Sequence, residues 1–559
     1  MRAEILHLPG RGRARRPPDA DAPRGLASGG QGGPDAAPAA WYDAIVSLPR
    51  EYNAAVDLID RNLARGLGDK VAYVDAFGPV TYAGLAERVD RAGDLLRGLG
   101  VQIEQRVLLA LLDTVDFVAV FLGAIKIGAV PVPVNTLLPP ADYEHLLRDS
   151  RARVLVVSDA LLPKLREAAA RSPWLTATVV ADSPEGGPDD GHPRLRALLE
   201  RAAPAVEAAA TGPDDAAFWL YSSGSTGRPK AAVHLHAHLR RTAELYAGAV
   251  LGLREDDVVL SAAKLFFAYG LGNALTFPLA FGATAVLLAE RPTPAAVFRA
   301  LQQRACTVFC GVPTLFAAML ADAAHAEVRL PALRVSTSAG EALPRHVGER
   351  WRARFGSDIL DGIGSTEMLH IFLSNRPGDV RYGTTGLPVP GYALRLVDDA
   401  GAPLEGAAEG ALWVSGPTAA AGYFHDRERS LQTFHGPWTR TGDRYARDAE
   451  GYYTYRGRAD DMLKVGGIWV SPFEVESALA AHPAVLEAAV VGHADADDLV
   501  KPKAFVVARD PAAAGPALAG ELQRFVKDRL APYKYPRWIE FVAELPKTAT
   551  GKIQRFRLR

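Results

Sequence analysis

The chain has 559 residues, 48% of them hydrophobic and 23% charged, which is an ordinary globular balance over a length too great for one compact core. Its 63 lysines and arginines nearly cancel its 64 aspartates and glutamates, and the net charge of -1 argues against the basic stripe of a nucleic-acid binder. Two cysteines, Cys306 and Cys310, are too few for a disulfide framework or a structural zinc site, and they fit a reducing, cytoplasmic setting.

Arg11 to Ala40 is rich in Arg, Gly, Pro and Ala, lacks the apolar stretch of a secretory signal, and reads with its neighbours (1–48) as a disordered extension. From about Pro49 helix-like segments alternate with short apolar runs: 106–113, 129–135, 152–159, 177–182, 216–221, 283–290, 306–311, 333–336 and 358–362. These runs are continuous in Val, Leu and Ile rather than alternating, so they predict strands buried on both faces, the pattern of parallel α/β sheets. The most apolar window, Val115 to Val134, carries Asp116, Lys126, Pro131 and Pro133, so no membrane span is expected. After about Gly391 shorter strands with turn residues suggest a β-subdomain. Asp460-Asp461 marks a charged junction, and the last hundred residues read as strand, helix, strand, strand, helix, strand. The expected fold class is α/β. A large N-terminal domain, 49–459, holds mainly parallel sheets plus the β-subdomain, and a small α+β domain, 460–559, follows.

The densest chemical signal is Tyr221-Ser222-Ser223-Gly224-Ser225-Thr226-Gly227-Arg228-Pro229-Lys230, directly after an apolar run. Glycines and hydroxyls make a loop whose N–H and O–H groups can wrap phosphate oxygens, with Lys230 adding a cation. It is not a Walker A loop, because the G-x-x-x-x-G-K-[ST] spacing is absent. Taken alone, such a loop is equally a solvated turn. The whole decapeptide, however, resembles the phosphate loop of the adenylate-forming superfamily: acyl-CoA synthetases, luciferases and peptide-synthetase adenylation domains.

That resemblance implies further segments, and the chain carries them in order. Asp361-Gly362-Ile363-Gly364-Ser365-Thr366-Glu367 is similar to the segment in which the threonine helps hold phosphates and the glutamate coordinates Mg²⁺. Gly340-Glu341-Ala342 resembles the loop lying against adenine. Asp443 falls where a carboxylate accepts the ribose hydroxyls, and Arg458 where an arginine contacts the nucleotide. Asp460 matches the hinge about which the family's small domain swings. Gly466-Gly467 matches the place where glycine lines the pantetheine tunnel of coenzyme A. Lys552, closing Leu545-Pro546-Lys547-Thr548-Ala549-Thr550-Gly551-Lys552, matches the catalytic lysine. The implied catalytic set is Lys552, Glu367, Thr366 and Lys230, with ATP and CoA as co-substrates and Mg²⁺ on Glu367.

The implied chemistry suits these residue types. Attack of a carboxylate on the ATP α-phosphorus brings two anions together, so the barrier is one of positioning and charge neutralisation. The acid is already ionised at neutral pH and needs no general base.

The acyl segment Ser261 to Asn273 contains Phe267, Ala268, Tyr269 and Gly270, whose aromatics can form a short flat slot for a ring. With Gly311-Val312-Pro313-Thr314 and Gly364 to Ile371, the chain is similar to bacterial benzoate–CoA ligases from about Glu51 to its end. In that family Phe267, Ala268, Tyr269, His370 and Ile371 border the benzoate, with His370 available to orient its carboxylate. Two departures stand out: Ala231, where glycine is common, and Gly466, where serine is frequent. The resemblance implies a small aromatic carboxylate, ATP and CoA as partners, and neither nucleic acid nor membrane. A lysine acetyltransferase and deacetylase acting on Lys552 belong to the same pattern, and a homodimer is an option. The alternatives are a ligase for an amino-, hydroxy- or halobenzoate, an aryl adenylation enzyme loading a carrier protein, and a non-catalytic nucleotide sensor.

Overall fold

The computed structural model describes residues 47–187, 191–223, 229–458, 461–465, 468–495, 500–530, 533–547 and 553–559. The expected extension lies outside the described residues apart from its last two positions. Among the described residues a nine-stranded sheet forms the centre of the large domain. In spatial order its strands are Leu387–Pro388, Ile371–Ser374, Asp358–Gly364, Val335–Ser338, Val308–Gly311, Val258–Ser261, Thr284–Val286, Val71–Asp75 and Gly78–Thr81. The six from Asp358–Gly364 to Val71–Asp75 run parallel, and the flanking pairs are antiparallel. A second, wholly parallel sheet has the order Val130–Pro133, Arg106–Ala110, Val154–Ser158, Ala177–Ala181. The apolar runs predicted as buried strands are therefore strands, and helices such as the wholly buried Val115–Lys126 cover them. No helix among the described residues is long and apolar enough to cross a membrane.

One run departs from expectation. Ala216–Ser223 joins no parallel sheet but pairs antiparallel with Pro229–Leu235, as a two-stranded ribbon. Residues 224–228 are the connection of that hairpin, and five residues cannot make the crossover that parallel pairing requires. The continuous apolar pattern reports burial on both faces and cannot distinguish the two pairings.

The starts of three neighbouring parallel strands are fastened together. Asp257, just before Val258–Ser261, accepts Arg334 Nε at 2.8 Å and Nη2 at 2.6 Å, the Thr307 hydroxyl at 2.7 Å and the Arg254 amide at 2.8 Å. Thr307 and Arg334 immediately precede Val308–Gly311 and Val335–Ser338. Burial pushes the Asp257 carboxyl up, but Arg334, Thr307 and the Arg254 amide outweigh it and hold it below the usual range. Asp257→Ala should cost about 2–3 kcal/mol of large-domain stability. The loss is smaller than for a sealed pair because Arg334 keeps the carbonyls of Leu251 and Gly252. A depressed carboxyl stabilises fully above its unfolded value, near pH 4, and loses that contribution as pH falls through the folded value. Unfolding midpoints of wild type and variant should therefore differ at pH 7 and converge only below about pH 4. An equal gap at both extremes would show that the carboxylate charge is irrelevant.

Two helices change pitch along their length. His236–Thr242 runs into a π-helical turn, Ala243–Gly248, and Ala268–Leu271 runs into another, Gly272–Thr276, before Phe277–Phe281 resumes as α-helix. A six-stranded antiparallel β-subdomain follows, built on Ala393–Val397, Ala408–Ser415, Trp438–Arg447 and Tyr453–Arg458. Beyond it, helices Pro472–Ala480 and Pro516–Lys527 pack with the strands Val485–Ala494, Val500–Ala508 and Trp538–Phe541 around a core of Val475, Leu479, Val490, Val506 and Leu522. This is the strand–helix order expected from sequence.

Candidate functional site

Ligand sites of open parallel sheets sit beyond the carboxyl ends of the strands. Here the ends at Gly311, Ser338 and Gly364 lead into segments that line a cavity of about 1090 Å³. Pro313 and Thr314 line it after the first, Gly340, Glu341 and Ala342 after the second, and Asp361, Gly362, Ile363, Gly364, Ser365 and Glu367 at the third. Gly340 has φ +94°, a conformation that glycine takes without penalty. Ser222 and Lys230 come from the two strands of the hairpin, and Asp443 and Arg458 from the β-subdomain.

Asp443 and Arg458 face each other across two antiparallel strands, with Arg458 Nη1 3.5 Å from Asp443 Oδ1 and 3.2 Å from the Thr441 carbonyl. A Cβ on the intervening Gly442 would come within 2.8 Å of that guanidinium. Glu367 receives Lys230 Nζ at 3.2 Å, the Tyr423 hydroxyl at 2.7 Å and, at the limit of bonding, the Ser222 hydroxyl at 3.4 Å. Burial alone would raise its carboxyl; Lys230 and Tyr423 outweigh this and hold it below the usual range. Asp361 has no such partner: Oδ1 is unpaired, and burial pushes its carboxyl well above the usual range. Thr366 is not among the lining residues. It stands between Ser365 and Glu367, and its carbonyl lies 2.8 Å from Nε2 of the buried His234.

The small domain supplies one wall, through Phe473, Glu476, Ser477, Glu487 and Arg509 among others, and Phe473 meets Tyr455 of the β-subdomain at a ring separation of 5.2 Å. Lys547 and Ile553 also line the cavity and pair as an antiparallel bridge, so the ends of the 548–552 segment stand together at the wall. Lys552 itself lies outside the described residues, as do Gly224, Ser225, Thr226, Gly227, Asp460, Gly466 and Gly467, and the side chain of Ser223.

The predicted acyl residues Phe267, Ala268, Tyr269 and Ile371 belong to the main hydrophobic core. Gly364 pairs with Ile371 in the sheet, and Gly362 and Gly364, which also line the cavity, carry no side chain toward Ile371 and His370. His370 is caged by Phe277, Tyr246 and Tyr269 at ring separations of 4.6, 5.2 and 5.4 Å. The Tyr269 hydroxyl donates to the Thr337 carbonyl at 3.1 Å, and the buried Asp113 accepts the Leu265 amide at 3.2 Å, fixing both sides of the Phe267–Gly270 segment.

The surroundings of His370 are mostly aromatic. Burial lowers its pKa to about 3, so the ring is neutral. Its Nε2 lies 3.3 Å from the Tyr269 carbonyl, which assigns the one ring proton there and leaves Nδ1 as a bare, unpaired acceptor. Such a ring offers a wall to an apolar guest.

Sequence reading missed Tyr423, which touches both Glu367 and Lys230. It forms a bridge with Ala232, follows Gly422 and precedes the charged stretch Asp426 to Arg429, and its two partners are distant in the chain.

Residues 60–424 match the family described as AMP-binding enzyme, and 474–552 match the AMP-binding enzyme C-terminal domain. The chain is 60% identical to a benzoate–CoA ligase of Thauera aromatica over 92% of its own length and 97% of the relative's. It is 52% identical to a 4-hydroxybenzoate–CoA/benzoate–CoA ligase of Rhodopseudomonas palustris, over 91% and 94%. Among solved structures, a benzoate CoA ligase from Burkholderia xenovorans LB400 superposes with a TM-score of 0.84 at 54% identity, over 91% of this chain and all of that one. The anthranilate CoA ligase AuaEII, in complex with anthranoyl-AMP, superposes at 0.88 with 44% identity, over 92% and 97%.

Proposed function

The chain belongs to the AMP-binding enzyme family, and on that premise we infer that it is an ATP-dependent benzoate–CoA ligase. Benzoate and ATP give benzoyl-AMP and pyrophosphate; CoA then displaces AMP to give benzoyl-CoA. The feature that carries this reading is the closeness of the two parts of the site: Gly362 and Gly364 line the cavity with Lys230, Glu367, Asp443 and Arg458, and the same two glycines lie against Ile371 and His370.

Each residue has a task in that reaction. Asp443 accepts the ribose hydroxyls, and Gly340 to Ala342 give adenine close approach to backbone. Lys230 and the hairpin connection receive the phosphates. Phe267, Ala268, Tyr269 and His370 bound the ring and exclude water from it, while the carboxylate is left to face the cavity and Lys552. The donor set suits Mg²⁺: Glu367 offers a carboxylate at the cavity, and a cation that keeps waters and substrate phosphates needs only one or two protein oxygens. Glu367, kept ionised in its buried place, would hold it, and the ion would neutralise phosphate charge, with Thr366 helping to hold the phosphates. We place the boundary between the mobile small domain and the rest at 459/460. Acetylation of Lys552 would remove the charge needed in the first step only.

Carboxylate-dependent AMP formation with CoA tests the reading across benzoate, 2-aminobenzoate, 4-hydroxybenzoate, cinnamate, a medium-chain fatty acid and acetate. The expected result is a preference for benzoate. Preference for a substituted ring or an aliphatic acid would keep the adenylation chemistry and overturn the slot. Turnover with a holo-carrier protein in place of CoA would overturn the thiol acceptor.

A further inference from the structure

Tyr423 lies in a segment that ties two parts of the site together. On one side it is stitched to the second hairpin strand: Val233 N donates to the Gly422 carbonyl at 3.0 Å, Ala421 N to Val233 at 2.9 Å and Phe424 N to Ala231 at 2.9 Å. On the other side Ala420 N donates to the Glu367 carbonyl at 2.7 Å, and the Thr418 hydroxyl to the Met368 carbonyl at 2.7 Å. The Tyr423 side chain repeats this bridge within the cavity. Its hydroxyl donates to Glu367 Oε1 at 2.7 Å and accepts from Lys230 Nζ at 2.5 Å, and the same ammonium stands 4.1 Å from the ring centroid. The ring is buried, packed on Ala232 and Ala420 and tilted against Phe434 at a ring separation of 5.4 Å, and the Ser430 hydroxyl holds its backbone amide at 2.9 Å.

Among the described residues three side chains reach the Glu367 carboxylate on the same oxygen. The Lys230 ion pair and the hydrogen bonds from Tyr423 and Ser222 all fall on Oε1. An oxygen with three donors is fixed in direction, and fixing it sets the other oxygen of the same planar group. We propose that Tyr423 is the positioning residue of the cation site. By holding Oε1 it presents Oε2 to the divalent ion. The inference rests on the assignment of Glu367 as the cation-bearing carboxylate.

Tyr423→Phe removes one oxygen and keeps the ring. Outer-shell partners of a metal ligand are worth about 10–100-fold in metal affinity. Binding of Mn²⁺ to the full-length enzyme with α,β-methylene ATP, read by electron paramagnetic resonance, should weaken by about tenfold or more in this variant. Binding of the same analogue without metal, and of benzoate, should not change. An unchanged Mn²⁺ affinity overturns the proposal whatever happens to the melting temperature of the free enzyme. So does an equal loss of metal-free nucleotide binding, which would mean that the hydroxyl holds phosphate. Glu367→Gln separates the two assignments. If it leaves Mn²⁺ binding intact, the metal assignment itself fails; if it abolishes binding while Tyr423→Phe does not, only the positioning role fails.

Discussion

Replacing Lys552 with alanine should lower benzoyl-adenylate formation by about 10²–10³-fold, or about 3–4 kcal/mol, while thioester formation from supplied benzoyl-AMP and CoA stays near wild type. Two anions must meet at the α-phosphorus, and a preorganised cation aimed at the developing charge supplies stabilisation of that size. The bridge between Lys547 and Ile553 sets both ends of the 548–552 segment at the cavity wall, and Lys547 is held by Glu487 at 2.6 Å. The second half-reaction has no pentavalent phosphorus to stabilise and needs the acyl carbonyl uncovered for the thiol. Pyrophosphate release measures the first step, and CoA-dependent loss of benzoyl-AMP the second. Equal loss in both would show that Lys552 serves the fold or the common intermediate.

Gly272→Ala should raise the benzoate KM steeply and leave the ATP KM unchanged. A Cβ on Gly272 would collide with the His370 ring and lie 2.7 Å from its Nε2. The ring cannot yield, because Phe277, Tyr246 and Tyr269 surround it and Nε2 is tied to the Tyr269 carbonyl. Either His370 moves into the slot or Tyr269 is pushed from its bond to Thr337. Overpacking of this kind costs about 1–3 kcal/mol, which is about 10–100-fold in kcat/KM for the acid if the slot takes the strain. The ATP side has no contact with this collision. A benzoate KM equal to wild type, or a matching rise in the ATP KM, would place the aromatic slot elsewhere.

The parts of the site that could be read from sequence are those where chemistry is carried by a contiguous segment. The hairpin with Lys230, the turn ending in Glu367 and the pair Asp443 and Arg458 are such segments, and the structure brings all of them to one cavity. The sheets were legible for a similar reason, since burial on both faces leaves an unbroken apolar run. Pairing direction was not, as Ala216–Ser223 shows, because burial is blind to it. Tyr423 was not legible either, because its role arises from strand-to-turn contacts 56 residues from Glu367 and 193 from Lys230. The surroundings of His370 were not legible for the same reason: three rings and a carbonyl contributed by other segments enclose it.

The π-helical turn at Gly272–Thr276 gives chain length a meaning that residue identity does not have. Such a turn is an α-helix carrying one surplus residue. Each residue advances an α-helix by about 100°, so the surplus sets the heading of everything after it. Phe277, which follows at once, reaches His370 only in that heading. Losing any single residue between 272 and 276, even one with an inert side chain, would restore a smooth helix and turn Phe277 away from the ring. Here insertions and deletions, more than substitutions, are what the acyl slot is sensitive to.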